Sequence, residues 1–232
     1  MKSIFSFSSL AATLSGLFLG VGLLAFAPTA DATIVLQLSD QQMATKASGI
    51  VHGKVVRKYS QWVKKERRIY TYITIAVLSR VKGQTKQEVV IRQVGGVANG
   101  LGMHVPGSAK FELGEEVFVF LEKSRVTAHH MVMGMSYGKF SVVTDAKTKV
   151  KMLKRDLHGV SLAVWDKNKK MKINHASHKL MEPRPMSTFV AKIKTYLQAA
   201  TVKTPTLKRP SVPSIKRPTV VQPRPSVPQP KR

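Results

Sequence analysis

The period of the hydrophobic pattern changes several times along this chain, and each change marks a change of element. The first feature is an apolar run from Leu10 to Phe26, interrupted only by small residues. Lys2 precedes it, and Pro28 and Ala30-Asp31-Ala32 follow. A basic start, an apolar stretch, and small residues at the last and third-last positions describe a cleavable secretory signal peptide. It spans residues 1–32, with Ala30 and Ala32 setting the cleavage site. The alternative is an uncleaved anchor, since the run approaches the roughly 20 apolar residues a bilayer needs. Gly16, Gly20, Gly22 and the small-residue site favour cleavage. No second run of that length follows, so no transmembrane segment is expected in the mature chain.

After residue 38 the pattern is first helical and then strand-like. Residues 39–47 read as a short helix, capped by Ser39 or Asp40 and ended by Gly49. From Ile50 to Val56 the chain alternates, with Val51, Gly53 and Val55 on one face. Arg68 to Leu78 is rich in β-branched and aromatic residues and is the strongest strand, with Lys64-Lys65-Glu66-Arg67 as the hairpin tip before it. Further strands are expected at Glu88–Val94, at Glu116–Leu121 (apolar on both faces, hence interior), at His130–Met135 and at Gly138–Thr144. The expected fold is mainly β: a small five- to six-stranded barrel of the oligonucleotide-binding (OB-like) type, with a short N-terminal helix. A β-sandwich is the alternative.

This barrel domain is expected over 33–150. A basic extension over 151–202 follows, where Val160 to Trp165 fits a short strand or a helical turn and Lys167 to Lys172 a loop. Ser187 to Ala200 reads as a C-terminal helix, with Phe189, Val190, Ile193 and Leu197 on one stripe and Lys192 and Lys194 off it. From Lys203 the chain changes character. Eight prolines and eight basic residues fall in 203–232, with no glycine, acidic or aromatic residue. Arg209-Pro210-Ser211-Val212-Pro213 recurs in degenerate form at Arg217-Pro218-Thr219-Val220 and Arg224-Pro225-Ser226-Val227-Pro228. Such a segment cannot bury a core, and a disordered, polyproline-II-like tail is expected.

Charge sharpens the picture. The chain holds 38 Lys+Arg against 12 Asp+Glu, a net charge of +26, and no cysteine. Without cysteine it is neither a lipoprotein nor a disulfide-stapled domain, so it must bury a sufficient core or bind a partner. Export without cysteine favours a bacterial protein, placed in the periplasm or outside the cell. A surplus of this size attracts polyanions without choosing among them, and a generally basic proteome would produce the same surplus. Candidate anion-binding residues are Lys64, Lys65, Arg67 and Arg68 at the hairpin tip. In the tail they are Lys208, Arg209, Lys216, Arg217, Arg224, Lys231 and Arg232. The tip also interleaves bases with Tyr59, Trp62, Tyr70 and Tyr72, a mix that could stack nucleic-acid bases but equally serves cross-strand packing.

Catalytic signatures are missing at the level of local sequence. No nucleophile elbow and no His-Glu-x-x-His helix occurs. Glu115 and Glu116 are adjacent, so they point apart on a strand and cannot form a carboxylate pair. The glycine cluster Gly95 to Gly102 lacks the Gly-Lys-Ser/Thr of a phosphate loop and fits a loop needing positive φ. His129 and His130 should face opposite ways, and His175 and His178 are too few for a zinc site. Met131, Met133 and Met135 alternate on one face. They suit core filling better than copper(I) ligation. No cofactor and no metal is therefore expected.

Gly95-Gly96, Gly100-x-Gly102-Met103-x-x-Pro106-Gly107 and Phe111-x-x-Gly114-Glu115-Glu116-Val117-x-x-Phe120-Leu121 together resemble the pattern of an uncharacterised family of secreted bacterial proteins. Arg68-Ile69-Tyr70-Thr71, Val81-Lys82-Gly83 and Gly138-Lys139-Phe140 fit it as well, so the resemblance covers about 34–143. More distantly, Gly53-x-Val55, Lys82-Gly83 and Phe111-x-x-Gly114-Glu115-Glu116 are similar to netrin-like domains, the fold of tissue inhibitors of metalloproteinases. That resemblance implies a protein-binding OB-type barrel. Those inhibitors chelate the protease zinc through an N-terminal cysteine, which this chain lacks.

Three functions remain in view. The first is an exported, non-catalytic binding protein that meets an anionic envelope polymer, a lipid surface or a secreted protein, with nucleic acid a weaker candidate. The second is a modulator of a secreted protease. The third is an enzyme with a non-local site, which would gather two or more of His52, His104, His129 and His130 with a carboxylate such as Glu112 in one pocket.

Overall fold

A computed structural model describes residues 33–83, 86–124, 126–174 and 177–202. The signal segment 1–32 and the tail 203–232 lie outside the described residues.

The chain is mainly β. Five strands close into a barrel: β2 (Gly49–Val63), β3 (Arg68–Lys82), β4 (Glu88–Val94), β7 (Glu116–Lys123) and β8 (His130–Val132). β2 pairs antiparallel with β3, and β3 with β4. β4 meets β8 in parallel at Ile91 and His130, and β8 returns antiparallel to β7, which pairs with β2. Taken in chain order, the five barrel strands sit around the barrel as first, second, third, fifth, fourth, which is the OB-type order.

β7 explains why two cores exist. It is apolar on both faces, as its sequence predicts, and all of Val117 to Leu121 is buried. Val117, Val119 and Leu121 point into the barrel with Val51, Ile73, Ile75 and Ile91. Phe118 and Phe120 point outward onto Phe140 of β9 (Lys139–Thr144) and Phe189 of α2 (Met186–Val202). The four rings pack edge-to-face or tilted, with centroids 5.5–6.4 Å apart.

Helix α1 (Asp40–Lys46) starts with a full capping box. The Ser39 hydroxyl accepts from the Gln42 amide, and the Gln42 side chain accepts from the Ser39 amide. Lys82 donates to the Ala44 and Thr45 carbonyls at 2.8 and 2.7 Å, closing the other end. α2 begins at Met186, so Ser187 lies inside it. Phe189 and Ile193 are buried on its expected stripe. Asp40 ties the two helices together, accepting from Arg184 at 3.1 Å and lying 3.6 Å from Lys192.

Residues 151–202 share this core. β10 (Lys151–Lys154) continues the sheet from β9, and β13 (Arg184–Pro185) pairs with β10. β11 (Val160–Trp165) is a strand, parallel to β1 (Thr33–Leu36) and antiparallel to β12 (Met171–Ile173). The boundary expected after residue 150 thus falls within a β-ribbon, where the Asp145 amide donates to the Val150 carbonyl at 2.9 Å.

The expected methionine stripe breaks up. β8 ends at Val132 because Gly134 and Met135 take left-handed φ of 63° and 58° and start a 3₁₀ turn. Met133 enters the outer core, while Met131 lies exposed. The core-filling role therefore holds for Met133 alone.

Candidate anion-binding surface

The β2–β3 hairpin carries the four expected cations at its tip. A 3₁₀ turn over Lys64–Glu66 and a left-handed Arg67 (φ 50°) reverse the chain. Lys64, Lys65, Arg67 and Arg68 are exposed, and none pairs with a carboxylate among the described residues. Glu66, the only acid at the tip, turns the other way. It accepts from the Tyr70 hydroxyl and from Arg92 Nη2, the latter at 2.7 Å. The Tyr70 hydrogen bond first, and then Arg92, hold the Glu66 carboxyl below the usual range, and the same contact pushes the Tyr70 phenol up.

Aromatic packing stiffens the outer face of this hairpin. The Arg92 guanidinium lies 3.5 Å from the Tyr70 ring centroid, and Arg92 Nε donates to the Tyr72 hydroxyl at 3.2 Å. Tyr72 stacks on its cross-strand partner Tyr59 at 5.2 Å, with His129 edge-on at 5.4 Å. The tyrosines are thus engaged in cross-strand packing, the plainer of the two roles their sequence allows.

Two cavities flank the segment Val105–Ala109. One, about 640 Å³, occupies the barrel mouth. The chain between β4 and β7 crosses that mouth, held by Lys58 Nζ donating to the Phe111 carbonyl (2.6 Å) and Gln93 Nε2 donating to the Ala109 carbonyl (2.9 Å). Lys58, Lys110, His104, His158 and Glu112 line it. His158 is held by Asp156 at 2.5 Å. The other cavity, about 420 Å³ and mostly apolar, lies between Glu66 and Arg92 on one side and Val126, Met131 and Met135 on the other.

The glycine cluster has a structural use. Gly96 (φ 127°) starts β5 (Gly96–Ala98), which pairs with β6 (Leu101–Met103) through a turn at Asn99 and Gly100. A Cβ on Gly96 would stand 2.3 Å from Ser60 Oγ and 2.4 Å from Thr71 Oγ1, two hydroxyls already bonded to each other.

No family model, curated protein or solved structure matches this chain. The site must therefore be read from its own geometry.

The remaining sequence candidates separate in space. His52 lies 2.5 Å from Glu116, which also accepts from Lys151 at 2.6 Å. Glu115 instead accepts from Lys139 and Ser141, so the two adjacent carboxylates do hold separate partners. Burial pushes the Glu116 carboxyl up, but the Lys151 and His52 hydrogen bonds outweigh it and leave it low. Of the four histidines singled out, only His104 reaches the mouth with Glu112. His158, found there as well, gave no signal beyond the Asp156-x-His158 spacing. Among the described residues no three histidine, aspartate or glutamate side chains converge as metal ligands, and no helix is long and apolar enough to cross a membrane. Ala30, Ala32, His175 and the tail cations from Lys208 to Arg232 lie outside the described residues.

Proposed function

We propose that this chain is an exported binding protein that associates, without catalysis, with an anionic envelope component through its barrel and its polybasic tail. The observation that carries the reading is how charge is divided. Asp40, Glu66, Glu112, Glu115, Glu116 and Asp166 each hold a lysine or arginine partner within the fold. The tip cations hold none, so their field acts outward. At the barrel mouth Lys58 lies 3.8 Å from Glu112, and the exposed Lys110 adds positive charge within reach of an anionic chain laid across it. The tail adds eight more cations and no acid.

The test is a salt titration of binding to a soluble anionic polysaccharide such as dextran sulfate. It compares residues 33–232, a chain ending at 202, and the Lys64→Gln/Lys65→Gln/Arg67→Gln/Arg68→Gln variant. Each altered chain should bind more weakly and with a shallower salt dependence. Equal binding by all three, or no binding at low salt, would overturn the reading.

A further inference from the structure

The sheet β1-β11-β12 has two unlike faces. Val35, Val160 and Leu162 turn inward to the outer core. Register places Leu36, Ala163 and Ile173 side by side on the opposite face, with Trp165 beside Met171 and Ile34 beside Ser161. Three of these side chains are more than half exposed: Ile34 at 57%, Trp165 at 60% and Met171 at 57%. Leu36 and Ile173 are each at 40%, and the small Ala163 between them is fully covered. An exposed apolar cluster of this kind marks a contact surface.

The β11–β12 turn frames this cluster with positive charge. The Asp166 carboxylate accepts from the Asn168 and Lys170 amides at 2.8 and 2.9 Å, fixing the turn. Lys172 pairs with Asp166 at 3.3 Å, whereas Lys167, Lys169 and Lys170 are exposed with no carboxylate partner among the described residues.

We infer that this face is a membrane-contact surface that seats Trp165, Met171, Ile34, Leu36 and Ile173 at the interface of an anionic lipid bilayer. The inference rests on the proposed action at an anionic envelope surface and names lipid as what this face meets. Charge complementarity selects the occupant. A second copy carries the same net charge of +26 and would be repelled. Protein interfaces are depleted in lysine, whereas lysines ringing an indole suit the headgroup layer, where the ring's apolar body and N–H are both satisfied. A patch this small binds a bilayer weakly by itself, and the polybasic tail supplies the second attraction that stable attachment requires.

The chain has two tryptophans, so a Trp62→Phe background leaves Trp165 as the sole reporter. Residues 33–232 in that background are mixed with vesicles of phosphatidylcholine alone or with phosphatidylglycerol added. Fluorescence, co-sedimentation and light scattering are recorded. The expected result is binding to anionic vesicles only, with blue-shifted Trp165 emission quenched by brominated lipid. Trp165→Ser/Met171→Ser in the Trp62-containing chain should lower partitioning roughly tenfold or more while leaving polysaccharide binding intact. Vesicle binding with Trp165 emission unchanged would overturn the contact surface while leaving the polyanion reading standing. Polysaccharide binding without vesicle binding would do the same, and loss of both would remove both. A dimer that Trp165→Ser/Met171→Ser dissolves would assign the face to a second copy instead.

Discussion

Arg155, just past β10, has the most instructive environment in the fold. It is 1% exposed, and its guanidinium lies 4.1 Å from the Tyr137 ring centroid and 4.2 Å from that of Phe140. Nε, Nη1 and Nη2 make no hydrogen bond of good geometry, and the neighbouring Tyr137 hydroxyl offsets the loss of water only in part. Burial lowers its pKa from the ordinary guanidinium range to about 10, and nearby Arg184 adds to the effect while Tyr137 and Asp40 oppose it. At neutral pH that fall corresponds to about 3 kcal/mol of destabilisation. The two ring contacts return roughly 1–2 kcal/mol. Arg155→Met keeps the bulk and removes the charge, so it should raise stability by about 1–2 kcal/mol, or about 2–8 °C in Tm. Arg155→Ala empties the space and should destabilise. The native guanidinium has the lower pKa, so from about pH 10 up to the ordinary guanidinium range the unfolded chain holds more protons. The penalty is complete below about pH 10 and fades above it, and the advantage of Arg155→Met should shrink over the same range. Urea unfolding of both chains at pH 7 and pH 11 measures this. A loss of more than about 1 kcal/mol in Arg155→Met at pH 7, at constant m, would refute the argument, because a partner would then have to satisfy the guanidinium in solution.

Phe189→Ala, which removes the ring joining α2 to Phe118, Phe120 and Phe140, should cost about 3–5 kcal/mol in urea unfolding. Gly96→Ala should destabilise by more than 1 kcal/mol, since it combines a left-handed φ with the clash against Ser60 and Thr71; Ser60→Ala should recover part of the loss. Glu116→Gln should lose about 1 kcal/mol at pH 7. The folded carboxyl of Glu116 titrates below its unfolded value. Its contribution is thus present above the ordinary glutamate range and lost as the pH falls through the folded value, where the variant and wild-type melting curves should converge.

Local patterning made much of this legible. Glu88–Val94 reads as a strand with the bounds it has in the structure, and the two-sided apolar run of β7 announces an interior strand. A helix capped by Ser39 or Asp40 and the charged hairpin tip are equally visible. What escaped is non-local. β2 runs on to Val63 because its later residues pair with β3, although their polarity hides the strand. β1 joins β11 across more than 120 residues, which no local pattern can report. A buried Arg155 is concealed among the charged neighbours Lys154 and Asp156. The break at Gly134 and Met135 turns on backbone φ, which alternation does not encode. The tip cations could be named in advance, whereas the barrel mouth, built from β2, β3, β4 and two loops, could not.

The closure of the barrel itself has one slender join. β4 and β8 meet through a single residue pair, Ile91 and His130, whereas β2 and β3 are matched along nearly their whole length. That join adjoins Met131 and Val132 at the rim of the smaller cavity. Breathing of the cylinder should concentrate along this latch. Amide protons of 130–132 should then exchange with solvent well before those of β3, and a guest too large for the resting cavity would be admitted there by parting two strands rather than by melting the wall.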